Sequence, residues 1–225
     1  MARDDDSLQS DADAVTALRQ QLFHLGGRLR RLDWYASYTW LQASFRSQAC
    51  ILAENNSTRG TAPECTGAGQ DDEILVRKGD RLPGLPAHSL KLGLAWRATD
   101  QLRLGADLQA FSSQLLRGNE NNSHRPGTYT DAGGTTRTFD GPGKVGGYAV
   151  LNVNAEMGLG AGWQAFARIN NLFDRRYASG GALAENPFVG GSFQANSDHW
   201  RRESFVAPGA PRAAWVGVRY SFGGR

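Results

Sequence analysis

The 225-residue sequence predicts an all-β chain: an antiparallel, up-and-down transmembrane β-barrel fragment of about seven strands forming an open curved sheet. Three observations carry this. Apolar and polar residues alternate with a period of two over repeated stretches, which puts one residue class on each face of a strand. Short links alternate with long polar ones. The composition, with 28 Gly, 6 Trp, 6 Tyr and 10 Phe against 2 Met, suits strands and turns rather than a helical bundle.

The N-terminal residues 1–21 are polar and stand apart. Over residues 7–22, Ser10 is a candidate cap and Val15, Leu18 and Leu22 recur every three or four positions, which predicts a short helix. A poorer strand pattern follows over Leu22 to Arg30. The first strong strand sets Leu32, Trp34, Ala36, Tyr38 and Trp40 against Asp33, Tyr35, Ser37 and Thr39. Leu90, Leu92, Leu94 and Trp96 then alternate with Lys91, Gly93, Ala95 and Arg97. Leu102, Leu104, Ala106, Leu108 and Ala110 alternate with Arg103, Gly105, Asp107 and Gln109. Leu151, Val153, Ala155 and Met157 oppose Asn152, Asn154 and Glu156, and Trp163, Ala165, Ala167 and Ile169 oppose Gln164, Phe166, Arg168 and Asn170. The last stretch places Ala214, Val216, Val218, Tyr220 and Phe222 on one face, toward lipid, and Trp215, Gly217, Arg219 and Ser221 on the other, toward a lumen. These stretches approach the nine to eleven residues that a tilted strand needs to cross a bilayer.

Short links fall at Arg31, at Thr99–Asp100 and over Gly158 to Gly162; long polar ones cover about 46–86, 117–144 and 174–211. Compact soluble domains seldom carry such loops, whereas outer-membrane barrels pair short periplasmic turns with long extracellular loops. Trp34 and Trp163 fall near the short-turn end, and Trp40 and Phe111 near the long-loop end, where girdles of aromatics are expected. Cys50 and Cys65, the only cysteines, bracket a polar stretch and read as a disulfide formed in an oxidising compartment. No apolar run is long enough for a transmembrane helix, and the acidic start at Asp4, Asp5 and Asp6 is unlike a signal peptide. The net charge of +3 is scattered, so no nucleic-acid partner is expected.

Three stretches, in this order, resemble the TonB-dependent outer-membrane receptors. Leu82-Pro83-Gly84-Leu85-Pro86-Ala87-His88-Ser89-Leu90 is similar to a recurrent loop-to-strand transition of that family. Asn171-Leu172-Phe173-Asp174 with Arg175, Arg176 and Tyr177 looks like its "NLFD..Y" signature on the next-to-last strand. Pro208-Gly209-Ala210-Pro211-Arg212 leading into Trp215–Phe222 looks like its closing strand, in which Gly217, Tyr220 and Phe222 would form the signal read by the barrel-assembly machinery. The chain ends Gly223-Gly224-Arg225, where the family commonly stops at the aromatic. The resemblance covers residues 22 to 222. It implies that 22–225 is the C-terminal part of a 22-stranded barrel with a plugged lumen. The family's plug domain and TonB-binding segment are not recognised in this sequence.

A receptor in the Gram-negative outer membrane is therefore expected, one for energised uptake of a scarce nutrient such as a ferric siderophore. Its partners would be outer-membrane lipid, an iron chelate, and the TonB complex through a plug. Candidate ligand contacts in the last long loop are Arg175, Arg176, Tyr177, His199, Trp200, Arg201 and Arg202, whose charge suits an anionic chelate. The bland reading of those residues is a set of solvated loop charges. The alternative function is a small outer-membrane barrel or surface-binding protein without TonB-linked transport. No catalytic residue, metal ligand or cofactor is expected: Ser197, Asp198 and His199 are adjacent on one chain, there is no G-x-S-x-G, and His24, His88, His124 and His199 have no metal-ligand spacing.

Overall fold

Period-two alternation becomes seven long strands: β1 (Ala17–Leu29), β2 (Leu32–Ser44), β3 (His88–Arg97), β4 (Leu102–Phe111), β5 (Tyr148–Gly160), β6 (Trp163–Asn170) and β7 (Ala213–Tyr220). The structure, a computed structural model, describes residues 17–65, 72–130, 134 and 136–222. All seven strands form one antiparallel sheet in sequence order, and among the described residues β1 and β7 are its open edges. Each short turn pairs the two strands it joins, and each long connection returns to the next strand of the sheet, so sequence order and spatial order coincide.

Register fixes which residues share a face, because cross-strand partners point the same way. One row runs Leu29, Leu32, Trp96, Leu104, Ala155, Ala167 and Val216; the next runs Gly27, Trp34, Leu94, Ala106, Val153, Ile169 and Ala214. Along all seven strands the only Asp, Glu, Lys or Arg on this face is Arg19, near the long-loop end. The opposite face carries Arg28, Asp33, Lys91, Arg97, Arg103, Asp107, Glu156, Arg168 and Arg219. Arg28 and Arg97 converge on Asp33, and the Asn152 amide donates to Asp107 at 2.8 Å. Among the described residues no second layer covers the apolar face: Leu94 is 51%, Val218 64% and Val216 84% exposed.

The polar face holds its rings over glycine. A Cβ on Gly93 would lie 2.0 Å from the Tyr35 ring opposite it, so the missing side chain lets Tyr35 lie flat across β3. Gly93→Ala is expected to destabilise the sheet by about 1–3 kcal/mol through overpacking. In the Tyr35→Ala background the same change should cost little, and a double-mutant cycle in denaturant reads the coupling.

Two expectations are corrected. The helix predicted over residues 7–22 is strand from Ala17 onward, and residues 7–16 lie outside the described residues. Phe111 does not join an aromatic girdle on the apolar face; it pairs with Tyr148 on the polar face, rings 5.2 Å apart. Trp34, Trp40, Trp163 and Tyr220 do lie on the apolar face.

The chain's small cores lie outside the sheet, in the long connections. Ala49–Leu52 pairs with Glu73–Val76, burying Ala53, Ile74 and Val76 against Phe45 and Ile51. Gln114–Leu115 pairs with Lys144–Val145, and Leu116 and Val145 pack with Leu183. Ala178–Asn186, Arg201–Pro208, Thr136–Phe139 and Gly127–Thr130 form a second sheet in that order, joining the second and third connections. The polar loops are thus a folded cap at one end of the sheet.

Candidate functional site

At the long-loop end of β6 the chain must leave the sheet and return for β7, and Asn171 organises that turn. It adopts a left-handed conformation (φ 51), which asparagine tolerates better than most residues, and is 2% exposed. Its backbone N–H donates to Asn152 Oδ1 at 2.9 Å, its Nδ2 donates to the carbonyls of Arg175 and Ala210 at 3.0 Å each, and its Oδ1 accepts from Arg175 N–H at 2.8 Å. Asp174, also left-handed (φ 51), accepts from Arg212 N–H at 3.0 Å. Tyr177 stacks on Tyr148 with centroids 4.3 Å apart, and Gly209 lies against its ring, where a Cβ would be 2.1 Å away. The Asn-Leu-Phe-Asp…Tyr stretch is a knot that ties β5, β6 and the approach to β7 together. Its apolar member Phe173 is 75% exposed.

Beyond the knot, the first and second connections meet in a buried polar hub. Asn56 Nδ2 donates to the Gly118 carbonyl (2.7 Å), Asn121 Nδ2 to Thr58 Oγ1 (2.7 Å), and Asn119 Nδ2 to the Gly143 carbonyl (3.0 Å). His124, 1% exposed, accepts the Ser57 backbone N–H at Nδ1 (3.1 Å), and Asn119 Oδ1 accepts from the His124 backbone N–H (3.0 Å). Cys50 and Cys65 are disulfide-bonded, with Cα atoms 5.6 Å apart, and close the first connection. The two sulfurs and Glu73 cluster closely, but disulfide sulfurs are not available to a metal.

Burial pushes the His124 imidazole below its ordinary value of 6.5; the Gly141 carbonyl opposes this and Arg125 adds to it. A lowered folded-state pKa means that the unfolded chain takes up the proton first as pH falls. The hub's contribution is therefore complete above about 6.5 and declines as pH falls below it. Protease cleavage within 46–86 is expected to accelerate on acidification through that range, and His124→Gln should flatten the dependence.

The candidate ligand residues fall into two groups. Arg175, Arg176 and Tyr177 belong to the knot. His199 closes the short 3₁₀ turn Ser197–His199, Trp200 donates its Nε1–H to the Gln194 carbonyl (2.8 Å), and Arg201 and Arg202 begin the strand Arg201–Pro208. Arg201 pairs with Asp140 and Arg202 with Glu185, each at 2.8 Å, and Arg202 also lies 5.9 Å from the Phe139 ring centroid. Both guanidinium groups serve the cap's own architecture. At the other end, Gly217 lies beneath the Phe166 ring, and Tyr220 meets Trp163 (4.9 Å) and Phe222 (4.7 Å). Gly223–Arg225 lie outside the described residues. Sequence reasoning missed the Asn56, Asn119, Asn121 and His124 hub; its trace is the run Gly118-Asn119-Glu120-Asn121-Asn122-Ser123-His124.

The family model described as TonB dependent receptor-like, beta-barrel matches residues 13–172. Among curated proteins none matches the chain. Among solved structures, the siderophore receptor PiuA from Acinetobacter baumannii is similar at a TM-score of 0.54 and 14% identity, over 91% of this chain and 22% of that one. The ferric-catecholate import receptor Fiu from E. coli K12 is similar at a TM-score of 0.51 and 18% identity, over 89% of this chain and 20% of that one. The chain thus spans about a fifth of the length of these structures.

Proposed function

The chain belongs to the TonB-dependent receptor β-barrel family, and we propose that it supplies barrel wall and outer loops to a receptor that imports a ferric siderophore across the outer membrane. Members of this family are transporters of the outer membrane rather than enzymes. The observation that carries the reading is the uninterrupted apolar face: a surface free of charge from Phe23 in β1 to Tyr220 in β7, with no layer of the described residues over it, is a surface made for hydrocarbon. The opposite face, with its Arg, Asp, Glu and Asn, then lines a hydrated lumen. The sheet's two open edges call for further strands, since unpaired backbone groups in lipid cost several kcal/mol each.

The segment from residue 22 onward is assigned to the C-terminal part of the barrel, with β7 and its aromatic end as the element presented to the assembly machinery. The energy-transducing TonB complex acts through a plug outside the strands described here. PiuA and Fiu, by their descriptions, handle siderophores or ferric catecholates, which favours an iron chelate as the cargo of this chain. The cap, in which the disulfide and the Asn–His hub hold the loops in one arrangement, suits preorganised capture of such a ligand.

Disruption of the gene tests this. Iron-limited growth should fail on one chemical class of ferric chelate among catecholate, hydroxamate and carboxylate types, and uptake of labelled iron from that class should stop. Unchanged uptake of all three would overturn the siderophore assignment.

A further inference from the structure

Where the apolar face meets the cap, a set of cations gathers that neither the strands nor the loops employ. The first connection leaves β2 and returns toward β3 through two segments zipped together: Phe45 N–H donates to the Asp80 carbonyl (2.9 Å), Gly79 N–H to the Phe45 carbonyl (3.0 Å) and Leu82 N–H to the Ala43 carbonyl (3.1 Å). This pairing places Arg46 beside the turn that carries Arg77, Lys78 and Arg81. Ser44 and Arg81 form an antiparallel bridge, so Arg81 shares the face of Ser44, which is the apolar face of β2. Arg19 of β1, opposite Gln42, stands on that same face one row nearer its centre.

All five side chains are exposed, and none makes an ion pair among the described residues. The one carboxylate within the turn, Asp80, is taken up as the acceptor of the Arg77 backbone N–H at 2.7 Å. Asn122 reaches across from the second connection to hold the backbone of Arg81 through its N–H (2.9 Å) and carbonyl (3.0 Å). The turn is thus braced from two sides while its charged ends stay unused. Directly below, on the same face, lie Trp40 and the Tyr38–His88 pair, whose hydroxyl and Nδ1 are 2.8 Å apart.

The position decides the partner. A cation row in mid-solvent is ordinary, but this one borders an apolar surface at the level of interfacial aromatics, where lipid headgroups sit. We infer that Arg46, Arg77, Lys78 and Arg81, with Arg19 beneath them, form a docking rim for the phosphate groups of anionic lipids in the leaflet on the long-loop side. Guanidinium groups bind phosphate bidentately, and a lysine adds a point charge. The rim is continuous with the hydrocarbon-facing surface and so rests on the proposed membrane reading. Its role would be to set the height of the barrel in the leaflet and to gather anionic lipid around the base of the cap.

The test uses the whole receptor to which this chain supplies wall strands, with the open edges paired, reconstituted in phosphatidylcholine bilayers with trace spin-labelled lipid. Motionally restricted label is compared for phosphatidylglycerol and phosphatidylcholine probes. Wild type should prefer the anionic probe, and the combined variant Arg46→Gln, Lys78→Gln, Arg81→Gln should lose that preference by at least about tenfold, taking each surface cation as worth about fivefold. The control variant Arg117→Gln, Arg125→Gln, Lys144→Gln removes three exposed cations from the cap and should retain it. High salt should weaken the preference, and millimolar inorganic phosphate should not abolish it. Insertion with no anionic preference, or equal loss in the control, would overturn the lipid rim and leave the membrane reading standing. Abolition by free phosphate would instead identify a soluble-anion site and overturn lipid docking. Failure of that whole receptor to insert in any bilayer would defeat the membrane reading and the rim together.

Discussion

Val216→Arg is expected to remove most of the assembled protein from the outer membrane, whereas Thr39→Arg should leave its level within about twofold. Val216 is 84% exposed and sits midway along β7, in the row shared with Ala167, Ala155 and Leu104. Arginine at the midplane of a barrel's lipid face costs about 2–4 kcal/mol, whereas a charge on the lumen side stays hydrated. Thr39 is on the polar face, half-buried between Leu22 and Ser89, on the side read as the hydrated lumen. The comparison keeps the introduced residue the same and changes the surface that receives it. Protease-resistant protein in membrane fractions measures it, and equal tolerance of both changes would show that the apolar face does not meet hydrocarbon.

Asn171→Ala should unfold the strand-end knot and lower stability by about 3 kcal/mol or more. The change deletes three side-chain hydrogen bonds to the backbone of Arg175 and Ala210, each worth about 0.5–1.5 kcal/mol, and strands buried polar groups that cost more. It also puts a Cβ residue without a helpful polar group at φ 51. Asn171→Gly keeps the backbone conformation and loses only the bonds, so the difference between the two variants reports the conformational part. Asn171→Asp retains the acceptor to Arg175 N–H and loses both donors. Its carboxylate would set an oxygen against the Arg175 and Ala210 carbonyls in a buried site, so its stability should fall well below wild type, to the level of alanine or lower, and denaturant midpoints for the series provide the check. Aspartate as stable as wild type would contradict the assigned bonding.

The strands were legible because their chemistry repeats at the period of the pleat, and because turns such as Arg30–Arg31 permit only neighbour pairing. The misread segment at the start of β1 has a simple cause. Leu18 and Leu22 are four apart, a spacing that fits a helix turn and equally places both on one face of a strand, and the strand is what β2 offers it to pair with. Residue type alone suggests a girdle position for Phe111, whereas parity puts it on the polar face, because Ala110 beside it belongs to the apolar set. The cap was not legible. Its strands run from two to nine residues, the shortest below any period, and its order comes from Asn56, Asn119, Asn121 and His124 meeting across more than sixty positions of sequence in some bonds. Composition reports such asparagines as loop. The arginine pairs of the last connection were visible as charge, but not their partners Asp140 and Glu185.

The most direct test of the account is the environment of each side chain along β5, read with nitroxides placed singly from Ala149 to Met157 in protein inserted in bilayers. Positions 149, 151, 153, 155 and 157 share the face of Leu108 and Ala106, and positions 150, 152, 154 and 156 share that of Gln109 and Asp107. The expected result is high collision with dissolved oxygen at the odd positions and little with a water-soluble nickel chelate, with the reverse balance at the even ones. A profile without alternation, or one in the opposite phase, would contradict the assignment of this sheet as a membrane barrel wall.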